Sequence, residues 1–347
     1  MKIYTITNEY ENMGRVGGIG MYIAGLKEVL GAQLIVETVD VFPLRISLIR
    51  RLWRATEWGD QIWVHHVFPV GFATYLLSFL GRSYTLFFHG NDFDTARMHV
   101  IRRCILRFIL RRARHVVANS HTLAEDIERA YGVKVRVLHP WLPQDAESCL
   151  LDSALRGKKT TNKVILTIGR FVPRKGFDLL LNVAEKLPHY QFIFAGPENM
   201  YARQLKHRAQ QHGLINLQFI YNPTRQDLLT LYQEACYFAM PTIKHRGDRE
   251  GFGIVYLEAQ AAGLPVIAVG HREVREAIAP ILQPYLADDA SVDEVIQVLK
   301  DMEDANIFSD YNKTAKLLKD FVRAHHTLDS RRVFIREIAQ LPNISSL

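Results

Sequence analysis

The chain has 347 residues, 48% hydrophobic and 23% charged, an ordinary balance for a soluble globular protein and more length than one core usually supports. Its net charge of +7 calls for an anionic partner: nucleic acid, nucleotide phosphates or an acidic membrane. Its three cysteines (Cys104, Cys149, Cys236) are odd in number and lack metal-ligand spacing, which argues against a disulfide framework or a zinc site and suits a reducing compartment.

Short β-rich runs alternate with longer helical patterns from end to end. The first half offers strands at 2–7, 33–39, 61–66, 84–89, 115–120 and 134–139. Near-continuous apolar strands separated by helices predict a parallel sheet covered on both faces. Ligands of such sheets bind at the carboxyl ends of the strands, so the residues just after each strand carry most information. After the first strand, Gly14, Gly17, Gly18 and Gly20 lead into an amphipathic helix, where backbone N–H groups can approach a phosphate or a polar substrate. The spacing is not that of GxGxxG. The apolar stretch Val67 to Gly81 is too short for a membrane span and reads as a buried crossover helix. The N-terminus has no signal-peptide core or cleavage site. The protein is therefore expected in the cytoplasm, peripheral at the inner membrane face.

FHGNDFD places His89 at the end of an apolar strand, and Asp92-Phe-Asp94 formally spells the DxD of a different class of sugar transferases. Residues 97–115 then hold seven arginines and no acidic residue. Ile101, Cys104, Ile105, Phe108 and Ile109 fall at helical spacing as an apolar stripe, with Arg103, Arg107, Arg111 and Arg114 forming another. With a second basic, apolar patch at 47–54, this predicts contact with an anionic membrane.

Residues 142–162 are polar, break the rhythm and read as a linker. The βα alternation restarts with strands at 163–169, 190–196, 217–221, 236–241 and 265–270. The expected organisation is a first domain over 1–150, a nucleotide-binding domain over 151–324, and a C-terminal helix within 325–347 that crosses back to the first domain. After the strand KVILTIG comes RFVPRKG, whose Arg170 and Lys175 beside a helix start make a pyrophosphate site. Further on, EGFGIVYLEAQAAGLPVIA places Glu250 in a glycine-rich turn and Glu258 inside the following helix. Gly251 and Gly253 free backbone amides to face a ligand, and the two carboxylates suit hydroxyl groups of a sugar or ribose.

EGFGIVYLEA together with GRFVPRKG resembles the signature of family-4 retaining glycosyltransferases of GT-B fold, two doubly wound Rossmann-like domains facing a central cleft. GGIG, FHG and ANS follow the same family's order, and the wording is closest to the phosphatidylinositol mannosyltransferase type. The resemblance implies a nucleoside diphosphate sugar donor, GDP-mannose first, with UDP-glucose or UDP-N-acetylglucosamine next. It implies Arg170 and Lys175 on the pyrophosphate, Glu258 on the ribose and Glu250 on the transferred sugar. Backbone amides at Gly251, Phe252, Gly253 and Ile254, with Gly17 and Gly18, cradle the donor, and His89 assists positioning. No cofactor or metal is expected, and the acceptor is a glycan or lipid-linked molecule. A nucleotide-sugar epimerase or hydrolase on the same architecture is the nearest rival. A nucleic-acid binder lacks any recognition element, and an NAD enzyme lacks GxGxxG.

Overall fold

The computed structural model describes residues 2–7, 18–38, 46–55, 60–152, 163–243, 250–307 and 311–340. The chain divides into two compact units. The first takes in Met1–Trp141, Glu250–Phe252 and Leu328–Leu347, and the second Leu142–Arg249 and Gly253–Thr327.

The first unit carries six strands: β1 (Ile3–Thr7), β2 (Leu34–Thr38), β3 (Gln61–Val64), β4 (Ser83–Phe88), β5 (His115–Ala118) and β6 (Arg136–Val137). They form one parallel sheet in the order β2-β1-β3-β4-β5-β6, with Ile3 in register with Leu34 on one side and Gln61 on the other. Strand alternation divides the core in two. Ile62, Val64, Leu86, Phe88, Val116 and Ala118 belong to one buried cluster, and their neighbours Trp63, Phe87 and Val117 to another. Both faces are covered, which is why these strands read as continuous apolar runs. The second cluster is completed by Tyr22 and Leu26 of the helix Gly18–Leu30 and by Ile335 and Ile338 of the helix Arg332–Ala339.

The second unit is a five-stranded parallel sheet in the order β11-β10-β7-β8-β9, made of β7 (Lys163–Ile168), β8 (Tyr190–Gly196), β9 (Leu217–Tyr221), β10 (Tyr237–Ala239) and β11 (Val266–Ile267). The first unit's leading segment ends at Trp141, short of position 150. The stretch that reads as a linker is in part core: Ala146, Leu150 and Leu151 are buried, and Lys319 Nζ donates to the Leu150 carbonyl at 2.7 Å. Residues 153–162 lie outside the described residues. The helical pattern at 325–341 resolves into the end of the Tyr311–His325 helix, a 3₁₀ turn at Asp329–Arg331 and the Arg332–Ala339 helix.

Val67–Gly81 forms a π turn and the Phe72–Ser78 helix, buried at Val67, Val70 and Leu77 but exposing Phe79 at 59% and Leu80 at 53%. Among the described residues no helix is long and apolar enough to cross a membrane.

Candidate donor and sugar site

In the second unit β7 leads through Gly169 to an exposed Arg170 and then into a 3₁₀ turn, Pro173–Lys175. Lys175 is buried, and its Cε would lie 3.8 Å from a Cβ placed on Gly169, so its stem runs back past the end of β7. Gly176 follows at φ +78°, where a Cβ would come within 2.3 Å of the Pro241 carbonyl oxygen. That close approach, together with the left-handed backbone, explains the glycine after the lysine. The two cations thus stand at a strand's carboxyl end just before the helix Phe177–Lys186.

Gly253, at φ +88°, opens the helix Ile254–Ala261, and no side chain caps its first turn. Glu258 is buried within that helix. One carboxylate oxygen accepts from Arg225 Nη1 at 2.6 Å and the other from the Tyr232 hydroxyl at 3.0 Å. Arg225 in turn forks onto Asp145 at 2.5 and 3.1 Å. Burial works to lower the Arg225 pKa, but Asp145 and Glu258 more than offset it and hold the guanidinium above its usual value. Burial and the Glu258 charge push the Tyr232 hydroxyl well up, so it stays a proton donor. Each carboxylate oxygen has two lone pairs, so Glu258 keeps acceptor capacity beyond these two bonds. Arg225, Tyr232 and Asp145 were not among the sequence candidates. Arg225 nevertheless opens the helix after β9, behind a Thr224–Asp227 capping box, where strand-end reasoning points.

In the first unit His89 follows β4. Its carbonyl oxygen accepts from Asn119 Nδ2 at 3.1 Å and would lie 2.0 Å from a Cβ on Gly251. Gly90 has φ +111°, and a Cβ placed on it would come within 2.6 Å of the Gly251 Cα. The His89–Gly90 turn and the Glu250–Phe252 stretch therefore interlock through two glycines. Phe252 is buried and its ring lies 5.4 Å from that of His139. Glu250 is half-buried. The His89 imidazole shares a 3.1 Å hydrogen bond with His65 Nδ1 and meets the Tyr22 ring edge-on. Burial, reinforced by the His66 charge, brings His89 down to about 3. At neutral pH it is a neutral hydrogen-bonding group.

Asp92 caps the chain locally, accepting from the His89 and Phe93 amides at 3.0 and 2.9 Å. Gly18 begins its helix exposed, with no described atom within 4 Å of an added Cβ, while Gly17 lies outside the described residues. Asn119 Oδ1 and His65 Nε2 are buried without partners.

Arg103, Arg107 and Arg111 lie exposed on the helix Val100–Arg112. The expected apolar stripe is corrected by the structure. The face turned to the core is Leu106, Ile109 and Leu110, whereas Ile101 and Phe108 are 75% and 56% exposed and Cys104 is also in solvent. Two stripes of this helix fit a 3.6-residue period, and the sheet takes the one bearing leucines. The Phe72–Ser78 helix packs between this helix and Ile46–Ala55, whose Trp53 is 41% exposed. One face of the first unit thereby gathers exposed Trp53, Phe79, Ile101 and Phe108 among arginines.

Two parallel-sheet α/β units of this kind, with a basic loop and a glutamate-bearing helix at strand ends of the second, define a GT-B glycosyltransferase fold. Sucrose-phosphate synthase from Thermosynechococcus elongatus superposes with a TM-score of 0.76 at 17% identity, covering 98% of both chains. Anabaena HepE in complex with UDP-glucose does so at 0.76 and 18%, covering 100% of both. Residues 17–145 match the model of Glycosyltransferase Family 4 and residues 152–315 that of Glycosyl transferases group 1. The chain belongs to the family-4 glycosyltransferases. Among curated relatives, it is 32% identical over 58% of its length to a GDP-mannose-dependent monoacylated alpha-(1-6)-phosphatidylinositol monomannoside mannosyltransferase of Corynebacterium glutamicum. It is 26% identical over 63% of its length to a D-inositol 3-phosphate glycosyltransferase of Mycolicibacterium smegmatis. These alignments span 52% and 51% of the two relatives, so the chain covers about half the length of the curated relatives it matches.

Proposed function

We propose that this protein transfers a hexose, mannose first, from a nucleoside diphosphate sugar to a glycan or lipid-linked acceptor, with retention of anomeric configuration, while resting on the cytoplasmic face of a membrane. The observation that carries the reading is the second unit's pairing of a buried lysine at a strand end with a buried, hydrogen-bonded glutamate on the helix behind Gly253.

In this reading Arg170 and Lys175 hold the pyrophosphate and stabilise the charge that grows on it as the sugar bond breaks, an interaction strongest in the transition state. Lys175→Ala should therefore lower kcat by about 100-fold or more at saturating donor. These side-chain cations take the role a divalent metal has elsewhere, so turnover should persist in chelator. Glu258 accepts from the ribose hydroxyls, and the amides at Gly253 and Ile254 face the phosphate. Glu250, the amides of Gly251 and Phe252, and neutral His89 hydrogen-bond the transferred sugar. The mannose assignment rests on the motif wording and on the name of the Corynebacterium relative. Membrane residence rests on the exposed apolar and arginine-rich face of the first unit.

Calorimetric titration with GDP and UDP side by side tests the donor. Tighter GDP binding is expected, and tighter UDP binding would replace mannose by glucose or N-acetylglucosamine. Consumption of the sugar nucleotide equally fast without any acceptor would favour an epimerase or hydrolase.

A further inference from the structure

We propose that the first unit holds a discrete pocket for the phosphate of an anionic phospholipid headgroup, between the helices Val100–Arg112 and His121–Tyr131. The inference deepens the membrane-facing reading above and rests on it for the source of the ligand.

A hollow of about 500 Å³, within the range of small-ligand sites, is lined by Arg97, Arg103, Cys104, Arg107, Phe108 and Tyr131. Three guanidiniums converge on it, and none is paired with a carboxylate among the described residues. Arg103 Nη2 donates to the Arg97 carbonyl at 3.2 Å, and Arg97 lies over the Phe93 ring at 5.1 Å. The remaining N–H groups of three like charges brought this close lack an acidic counterpart, and a phosphate supplies it with bidentate geometry.

The wall adds a second, independent sign. Tyr131 is only 6% exposed, yet its hydroxyl has no hydrogen-bond partner. A buried hydroxyl left unsatisfied is costly, and a phosphate oxygen in the hollow would accept its proton. Burial raises the Tyr131 pKa while Arg97, Arg103 and Arg107 pull it back, so the hydroxyl stands within reach of all three charges.

The rim identifies the ligand as lipid rather than free phosphate. Phe108, which lines the hollow, is 56% exposed, and Val100 and Ile101, one helical turn before Arg103 and Cys104, are 72% and 75% exposed beside Met98 at 60%, an apolar surface that a soluble anion would leave in water. Acyl chains would cover it, with the headgroup phosphate at the guanidiniums. Arg102 and Arg111 outside the hollow would meet neighbouring headgroups less specifically.

The experiment compares full-length protein on phosphatidylcholine vesicles with and without phosphatidylglycerol, and in solution with dihexanoyl phosphatidylglycerol and with inorganic phosphate. Arg103→Gln with Arg107→Gln should weaken binding to the anionic vesicles by about 30-fold. The charge-matched pair Arg129→Gln with Lys134→Gln, exposed outside the hollow, should weaken it less than about threefold. Tyr131→Phe should cost about fivefold, one neutral hydrogen bond, with an unchanged melting temperature. The short-chain lipid should perturb Tyr131 at concentrations where inorganic phosphate does not. Equal losses for the two double variants would reduce the site to diffuse electrostatic adsorption and overturn the pocket while leaving the membrane reading. Equal binding of inorganic phosphate would make the ligand a free anion and overturn the lipid assignment. Absence of any vesicle binding by the wild type would overturn both. The transferase reading is checked separately by nucleotide titration, which none of these variants should change.

Discussion

Arg225 ties two carboxylates together. It joins Asp145 to Glu258, and Glu258 is buried, so removing the guanidinium strands a carboxylate in a nearly dry site. Arg225→Met should destabilise the second unit by roughly 2–3 kcal/mol, given that Arg225 itself is partly exposed. It should raise the donor KM about tenfold with little change in kcat, because the guanidinium orients the glutamate rather than the reacting atoms. Arg225→Lys should recover part of the loss, since a point charge cannot fork onto two carboxylates. A donor KM unmoved by Arg225→Met would refute the positioning role. The histidine cluster of the first unit carries a different consequence. Burial pushes His66 down to about 4 and His89 to about 3, and His65 also lies well below its usual value. Each therefore binds a proton in the unfolded chain before it does so in the fold, and stability present above pH 6.5 drains away as pH falls toward those lower values. Asp92 acts in the opposite sense. Burial lifts it to about 7 against the pull of backbone amides, so its protonation adds stability as pH falls from there toward 3.8. Three lowered bases against one raised acid leave the balance with the histidines, so the first unit should lose stability by roughly 2–3 kcal/mol per pH unit between about pH 6 and pH 5. Urea midpoints at pH 7.5, 6 and 5 measure this, and His66→Gln should halve the slope. A midpoint that does not move across that window would contradict the assignment.

The helix Val100–Arg112 is the element whose orientation most affects function. Leu106 at 0% exposure should lose about 2–5 kcal/mol as Leu106→Ala, while Ile101→Ser and Phe108→Ser should stay within about 0.5 kcal/mol, all read by chemical denaturation. Large destabilisation by Ile101→Ser would mean that the leucine face is not the buried one. That face was hard to read in advance because Ile109 belongs to both candidate stripes, and only contact with the sheet and the neighbouring helix decides between them. The strands were legible for the opposite reason. Burial on both faces makes central strands such as β3, β4, β5 and β10 predominantly apolar runs, and all eleven runs contain a strand. Lys175 and Glu258 stand out in the sequence as candidates because of glycines that close approach requires: Gly176 directly follows the lysine and Gly253 opens the helix that carries the glutamate. Arg225 and Tyr232 meet Glu258 across 33 and 26 residues, and no local pattern records such a meeting. Residues 142–152 misled as a linker because their polar residues outnumber the four apolar side chains that fold inward, Leu142, Ala146, Leu150 and Leu151.

At the scale of the molecule the chain makes two sheets, and the Arg332–Ala339 helix returns it to the first. Tyr311–His325 packs on the Ile254–Ala261 helix of the second unit, and Lys319 ties it to the Leu150 carbonyl. A short turn later, Leu328, Ile335 and Ile338 are 5%, 0% and 0% exposed in the core cluster that holds Tyr22, Leu26 and Trp63 of the first unit. Burying three such side chains contributes roughly 6 kcal/mol, comparable with the whole net stability of a typical domain at about 5–15 kcal/mol. The amphipathic pattern of this segment announces a helix but not the sheet it covers, because any apolar face of matching width would satisfy it. Truncation before Leu328 should therefore open the first unit's core and leave the second unit's intact. The first should lose its calorimetric transition or melt at least 15 °C lower, since several kcal/mol shift a domain of this size by about that much or more. The second should keep its transition, because its own closing helix ends at His325. Saturating GDP should still raise that transition, by about 2.7 kcal/mol of added stability at a concentration 100 times its dissociation constant. Two transitions unchanged by the truncation would mean that the Arg332–Ala339 helix contributes nothing to the first core. Loss of both would mean that the second unit cannot stand without the first.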